Sequence, residues 1–240
     1  MYQLFREIIQ KEKFNPSILG VFINNNFLIR RLLYKYLKKN ELFLSGKILD
    51  FGCGSKPYKH LFTNAVDYIG VDYEIEGRTE NLDKIDFFYD GKIIPFQDNY
   101  FDSILCTEVL EHVFNINELL SELNRVLKPN GMALITTPFM WEEHEMPYDF
   151  ARYTTPALLN LYKKNGFTVV EHHKLGNGIH VIFQFCINYC KNTFLKNKIL
   201  RQLLLIPFIF IFNMLALILG LILPKDNKSY FNNIFILSKK

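Results

Sequence analysis

The stretch Lys47-Ile-Leu-Asp-Phe-Gly-Cys-Gly-Ser-Lys-Pro57 decides how this 240-residue chain is read. Its apolar first half, with Asp50, has the character of a buried strand. Gly52 and Gly54 then let the backbone turn sharply and pass close to a ligand, where a Cβ would intrude. Pro57 suits the first turn of a short helix. In open α/β sheets such a strand-to-helix turn lies where ligands bind, outside the carboxyl end of the strand.

Three features select the ligand class. Pro57 stands where a dinucleotide fingerprint has its third glycine, so close helix packing against a pyrophosphate is not provided. Asp50 would repel phosphates but could orient a cationic amino acid. Asp72 follows about twenty residues on, where a carboxylate accepts both ribose hydroxyls. A nucleoside without phosphates joined to a charged amino acid describes S-adenosylmethionine (SAM).

Outward from this turn, short strands alternate with helices. Tyr68–Asp72, Ile85–Tyr89, Phe101–Cys106, Gly131–Thr136 and Thr168–Glu171 read as further strands, and Asn232–Ser238 as a seventh. Ile116–Leu127 and Pro156–Lys164 have helical spacing, the first followed by Pro129 and the second stopped by Gly166. A second helix is reduced to the loop 74–83. Alternation of this length predicts an α/β fold: a Rossmann-like, seven-stranded, mostly parallel sheet with helices on both faces and an antiparallel last strand. Four segments are expected: a basic amphipathic helical segment 1–43, a core 44–175, an apolar helical insertion 176–228, and the last strand 229–240.

The motifs carry a resemblance. Ile48-Leu-Asp-Phe-Gly-Cys-Gly54, Gly70-Val-Asp72, Ile94-Pro-Phe-Gln-Asp-Asn-Tyr-Phe-Asp102, Cys106-Thr-Glu-Val-Leu-Glu-His-Val113 and Arg125-Val-Leu-Lys-Pro-Asn-Gly131 resemble the successive motifs of type 11 class I SAM-dependent methyltransferases. The resemblance covers roughly Lys47 to Glu171. Gly54-Ser-Lys-Pro-Tyr58, Tyr89-Asp-Gly91 and His144-Glu-Met-Pro-Tyr-Asp-Phe-Ala-Arg-Tyr-Thr154 are similar to a subgroup associated with bacterial surface-polysaccharide synthesis. Lys56 departs from the broader pattern, which often has glycine there. The resemblance implies that Asp50, Gly52 and Gly54 line the methionine half of SAM and that Asp72 holds the ribose. It further implies that Asp90, beside Gly91, approaches the adenine, while Thr107 and Glu108 close the site. For Asp90 the alternative is a turn residue before Gly91.

A sulfonium is already an activated leaving group, so alignment of the acceptor supplies much of the rate. A hydroxyl acceptor must also lose a proton. His112, His144, Glu145 and Asp149 are the candidate bases, with His144 preferred; Asp149 with Arg152 could instead be an ion pair fixing the loop. The implied reaction is O-methylation of a glycan or lipid-linked acceptor. Methylation of a quinone or other small molecule is the alternative, and a non-catalytic SAM-binding protein is the other.

Charge distribution bears on partners. The net charge is +4, yet no Asp or Glu occurs from Phe14 to Asn40 or from His172 to Lys225, while Lys and Arg recur in both. In Phe27–Lys39 apolar pairs at 28/29, 32/33 and 36/37 alternate with basic residues, giving an amphipathic helix that either covers the sheet edge or meets a membrane. Leu203–Leu223 is apolar except for Pro207 and Asn213, long enough to span a bilayer. Because a seventh strand would return the chain to the sheet, a single crossing is excluded. The expectation is an in-plane or shallow re-entrant anchor on the cytoplasmic face, with a homodimer interface as the other use of this helix. Basic residues interleaved with aliphatic ones do not suit nucleic acid. Met1-Tyr-Gln-Leu-Phe-Arg-Glu7 lacks the pattern of a signal peptide. The four cysteines form no CxxC pair, so no metal site is expected and a reduced, cytosolic setting fits.

Overall fold

The computed structural model of the chain describes residues 11–73, 82–193 and 198–240. In chain order, α1 (Gly20–Ile23) and α2 (Phe27–Lys39) precede β1 (Gly46–Phe51), β2 (Ala65–Tyr73), β3 (Phe87–Tyr89) and β4 (Phe101–Thr107). Then come α3 (Ile116–Val126), β5 (Leu127–Pro138), α4 (Thr155–Lys164) and β6 (Phe167–Leu175), followed by α5 (Gly178–Thr193), α6 (Lys198–Ile222) and β7 (Asn232–Lys239). Two compact units share these elements: residues up to Lys38 group with Lys174–Phe231, and Lys39–His173 group with Asn232–Lys240. The reduced second helix expected at 74–83 lies, apart from Leu82 and Asp83, outside the described residues.

The larger unit holds a seven-stranded sheet in the order β3-β2-β1-β4-β5-β7-β6. β1 is parallel to β2 and β4, β2 to β3, and β4 to β5, while β7 runs antiparallel to β5. This is the Rossmann-like arrangement expected from the strand–helix alternation. Residues 48–51 of β1 and 103–106 of β4 are continuously buried, as parallel strands covered on both faces must be. α3 turns Ile116, Leu119, Leu120, Leu123 and Val126 into the core, one face at helical spacing.

Boundaries differ from the expected ones for local reasons. β5 begins at Leu127, directly after α3, because Leu127 already pairs with Phe101. Lys128–Gly131 then bulge out before Met132 pairs with Ser103, and Asn130 takes the left-handed conformation (φ +63°) that the bulge needs. β3 starts only at Phe87, since Asp86 turns to accept the Gly70 N–H and the Lys56 ammonium. After Pro57 the chain makes only a short 3₁₀ turn, Lys59–Leu61.

In the smaller unit two buried side-chain amides donate to oxygens within the unit. Gln184 is buried and donates to the Asn25 carbonyl (2.7 Å) and to Asn188 (3.0 Å). Asn213, the polar interruption of α6, donates to the Val21 carbonyl at 3.0 Å. Ile187, Cys190, Leu205 and Ile209 form the apolar contact between α5 and α6.

Arg125 explains why two of the sequence motifs occur together. Its Nη1 donates to the Phe96 carbonyl and Asp98, its Nη2 to the Ile94 carbonyl and Glu122, and its Nε to Glu122. Glu122 in turn accepts the Ile94 N–H at 2.8 Å. One planar fork thus holds the 94–98 loop against α3, which a single ammonium cannot reproduce. Arg125→Lys is expected to lower unfolding stability by about 1–3 kcal/mol, read as a lower urea midpoint at unchanged m-value; an unchanged midpoint would show that the fork is redundant.

Candidate functional site

The carboxyl ends of β1, β2 and β4 carry the glycine turn and its surroundings. Leaving β1, the N–H groups of Gly52 and Cys53 both donate to the Val71 carbonyl, at 2.8 and 3.2 Å, wrapping the turn over β2. Gly52 has φ +72°, and a Cβ there would come within 2.2 Å of Val109, so this glycine is required twice over. Gly54 has φ +49° with nothing within 4 Å of where a Cβ would stand. The backbone therefore lines open space at Gly54, as a ligand cradle must. Lys56, the departure from the family pattern, also takes a left-handed conformation (φ +54°) and is tethered by its ion pair to Asp86.

Asp72 is buried at the end of β2 and accepts the N–H groups of Gly54 and Tyr73, both at 2.8 Å. Asp50 is buried beneath it and accepts the Tyr68 hydroxyl at 2.7 Å. Burial, partly offset by that hydrogen bond, pushes the Asp50 carboxyl up to about 7. A cationic group bound at this turn would favour the ionised form. These features fit the amino-acid and ribose parts of SAM.

Asp90 is a turn residue: its Oδ1 accepts the N–H groups of Lys92 and Ile93, and these hold its carboxyl below the usual range. Gly91 (φ +90°) stands against the Tyr73 ring, with the hydroxyl 3.1 Å from a Cβ position. Tyr73 is an exposed aromatic directly after Asp72, a position with no periodic signature in the sequence. Beyond β4, Glu108 has φ +55° and donates its N–H to the Thr136 carbonyl at 3.1 Å. Its carboxylate accepts the Thr136 hydroxyl and the Asn232 amide. Glu108 therefore ties β4 to β5 and β7, a more structural place than the site-closing one that the resemblance implied. Thr107 pairs with Thr136 across the same two strands.

The candidate bases come together on the next turn and on the loop after β5. His112 and His144 meet edge to face, ring centroids 4.8 Å apart. The N–H groups of Phe150 and Ala151 donate to the Glu111 carbonyl, strapping the 142–152 loop to the turn that carries His112. Glu145 is mostly exposed, its carboxylate 3.9 Å from His112 Nε2. Asp149 is not available as a base. It accepts both Arg152 terminal nitrogens and the His144 N–H, which hold its carboxyl down at about 2. It fixes the loop. Glu111, quoted within a motif but given no role, is fully buried, and neither carboxylate oxygen accepts a hydrogen bond. Burial, reinforced by the charge of Glu108, pushes its carboxyl well above the usual range.

A family profile described as a methyltransferase domain matches residues 26–172. This chain belongs to that methyltransferase domain family. It is 29% identical over 123 residues to a ubiquinone biosynthesis O-methyltransferase of Rickettsia bellii, covering 48% of this chain and 50% of that protein. The chain spans about half the length of the relatives it matches first. Among solved structures, it resembles phosphoethanolamine N-methyltransferase 2 of Haemonchus contortus, in complex with S-adenosyl-L-methionine, with TM-score 0.57 and 19% identity over 98% of this chain and 60% of that one. The [4+2]-cyclase SpnF gives TM-score 0.58 and 18% identity, over 86% of this chain and 80% of that one. At such identities these two likenesses show the fold.

The Asp50 carboxyl gives this methyltransferase domain a pH signature. Folded chains keep the proton up to about pH 7, whereas unfolded chains release it near 4. Between those values the folded state holds the extra proton, so the group's contribution to stability falls as pH rises through that window, by up to about 4 kcal/mol. Above about pH 7 it is flat. Asp50→Asn is expected to keep the Tyr68 bond and remove this slope; a parental slope in the variant, followed by thermal melts from pH 4 to 8, would reject the assignment.

Proposed function

We propose that the protein transfers a methyl group from SAM to a hydroxyl oxygen of a small acceptor of the phenol or hydroquinone type. The observation that carries this reading is the adjacency of two dissimilar sites. The open cradle of Gly54, with Asp50 and Asp72, suits an amino acid joined to a nucleoside. Val109, packed under Gly52, leads within two residues to Glu111 and the paired histidines. When bound, SAM supplies a methyl group on a positively charged sulfur. In this reading Asp72 accepts the ribose hydroxyls, Asp50 faces the methionine ammonium, and the Glu111–His112–His144 cluster deals with the acceptor proton. The name of the Rickettsia relative favours a phenolic acceptor. The glycan or lipid-linked acceptor, and the polysaccharide-associated subgroup, rest on the sequence motifs alone.

SAM and its demethylated product are expected to raise the melting temperature, by a linkage of about 2.7 kcal/mol at a hundredfold excess over Kd. NAD should not, and Asp72→Ala should lose most of the shift. An equal response to NAD would sink the cofactor assignment. With labelled SAM, label should enter a lipid-soluble phenol fraction; label in polymeric glycan alone would overturn the acceptor. His144→Ala should lower turnover while leaving the SAM shift intact.

We also propose that the smaller unit rests on the cytoplasmic membrane surface. Leu204–Ile222 is the one helix among the described residues long and apolar enough to cross a bilayer, and only 28% of that stretch is buried. Ile211, Leu215, Ile218 and Leu221 are exposed. The chain leaves the sheet after β6 and returns to it in β7, so the number of crossings is even, and zero suits a single long helix. Lys191, Lys198 and Lys225 near its ends would meet anionic headgroups. Protein incubated with anionic vesicles should float with them, and replacing 203–223 by a polar linker should abolish this while the SAM shift persists. Recovery of the full chain in the soluble fraction as a stable dimer would reject the anchor.

A further inference from the structure

Glu111 is fully buried, yet neither carboxylate oxygen accepts a hydrogen bond. A carboxylate in that state is costly unless a cation reaches it. The Arg152 charge acts on this carboxyl without hydrogen-bonding it, and two imidazoles stand close by. His112 Nε2 lies 3.7 Å from Glu111 Oε1, and one ligand atom each from Glu111, His112 and His144 fall within 4.8 Å of one another. Two ligands on a tetrahedral divalent cation, each at about 2.1 Å, lie roughly 3.4 Å apart. A small side-chain movement closes the difference.

The ring nitrogens are already sorted for this purpose. His112 Nδ1 is 2.8 Å from the Tyr148 carbonyl, an acceptor that requires the proton on Nδ1 and leaves the Nε2 lone pair bare. His144 Nδ1 faces the Glu142 carbonyl at 3.3 Å and Asp149 Oδ2 at 3.2 Å. Arg152 Nη2 is also 3.3 Å away, but its two protons go to Glu142 O (2.9 Å) and Asp149 Oδ2 (2.7 Å). His144 therefore also carries its proton on Nδ1 and presents Nε2. Metal-bound histidines are held this way, the far N–H on a carbonyl or carboxylate.

We infer that Glu111, His112 and His144 form a binding site for one divalent first-row transition-metal ion, through a buried carboxylate oxygen and two imidazole Nε2 atoms. Two imidazoles with one carboxylate select an ion such as Zn²⁺ over Mg²⁺ or Ca²⁺, which prefer oxygen. Three protein ligands leave coordination positions open toward the half-exposed loop, where Glu145 or an acceptor oxygen fits. A cation there would lower the pKa of a bound hydroxyl, so the histidines would serve as ligands and not as the free bases expected from sequence. That role toward the acceptor rests on the methyltransferase reading; metal binding itself does not. The sequence expectation of no metal site rests on the cysteines, which form no CxxC pair. The expectation did not weigh a Glu–His set.

The test uses full-length protein stripped with a chelator and titrated with Co²⁺, read by visible d–d absorption and by metal content after dialysis. One Co²⁺ per chain, displaced by Zn²⁺, is expected. Glu111→Gln and His144→Ala should each bind roughly tenfold more weakly or worse, while His173→Ala, a histidine beside Glu171 on β6, should match the parent. No Co²⁺ bound by the parent, or equal binding by the parent and both ligand variants, would overturn the site. His144 lies on a half-exposed loop, so that variant decides the matter if Glu111→Gln fails to fold by circular dichroism. The SAM thermal shift on the same samples separates the two claims. Co²⁺ binding without it refutes the methyltransferase reading alone, and a SAM shift without Co²⁺ binding refutes the metal site alone.

Discussion

The antiparallel return of β7 alongside β5 is the constraint on which the rest of the larger unit depends. Met132–Pro138 pair in register with Asn232–Ser238, so β5 is hydrogen-bonded on both sides and buried within the sheet. The ends of β7 then position what lies around it. Asn232 donates to Glu108 in the turn after β4, and Asn233 donates to the Tyr153 carbonyl just before α4 and accepts the hydroxyl of Thr155, its first residue. These are the flanks of the two segments that carry His112 and His144. At the other end, the Lys239 ammonium donates to Asn99, to the Asn124 carbonyl at the end of α3 and to the Leu127 carbonyl. A strand late in the sequence thereby orders the segments that flank His112 and His144.

The carboxylates of this unit fall into two groups with different meanings. Asp102, Glu122 and Asp149 are each hydrogen-bonded to a lysine or arginine and to a backbone N–H, and each is held below the usual range. They fasten loops. Asp50 and Glu111 are as buried as side chains become, with one hydroxyl donor for the first and none for the second, and both are pushed upward. A protein gains nothing in stability from a buried carboxyl left short of partners. Asp50 lies one residue before the end of β1 and Glu111 in the turn after β4; under the proposals above an ammonium would complement the first and a divalent cation the second.

Much of this was legible along the chain. The strands could be read because parallel strands are continuous apolar runs, and α3 because its apolar residues recur at helical spacing. Gly52 and Asp72 could be singled out because a sharp turn after an apolar strand favours a residue without a Cβ, and because a carboxylate ends the second strand about twenty residues on. The start of β5 was not, since a bulge at Asn130 looks like an ordinary Pro-Asn-Gly turn. Nor was the burial of Glu111: within Glu-Val-Leu-Glu-His nothing distinguishes a solvated glutamate from a fully buried one that accepts no hydrogen bond. The sequence by itself determined the sheet, its glycine turn and the polar character of the loop after β5, because these depend on periodicity and on residues a few positions apart. Only the tertiary structure decided which of those polar groups are already satisfied. Residues 111, 112, 144, 149 and 152 meet through backbone bonds between two separate turns, and a lone pair is free or taken according to neighbours that no local pattern records.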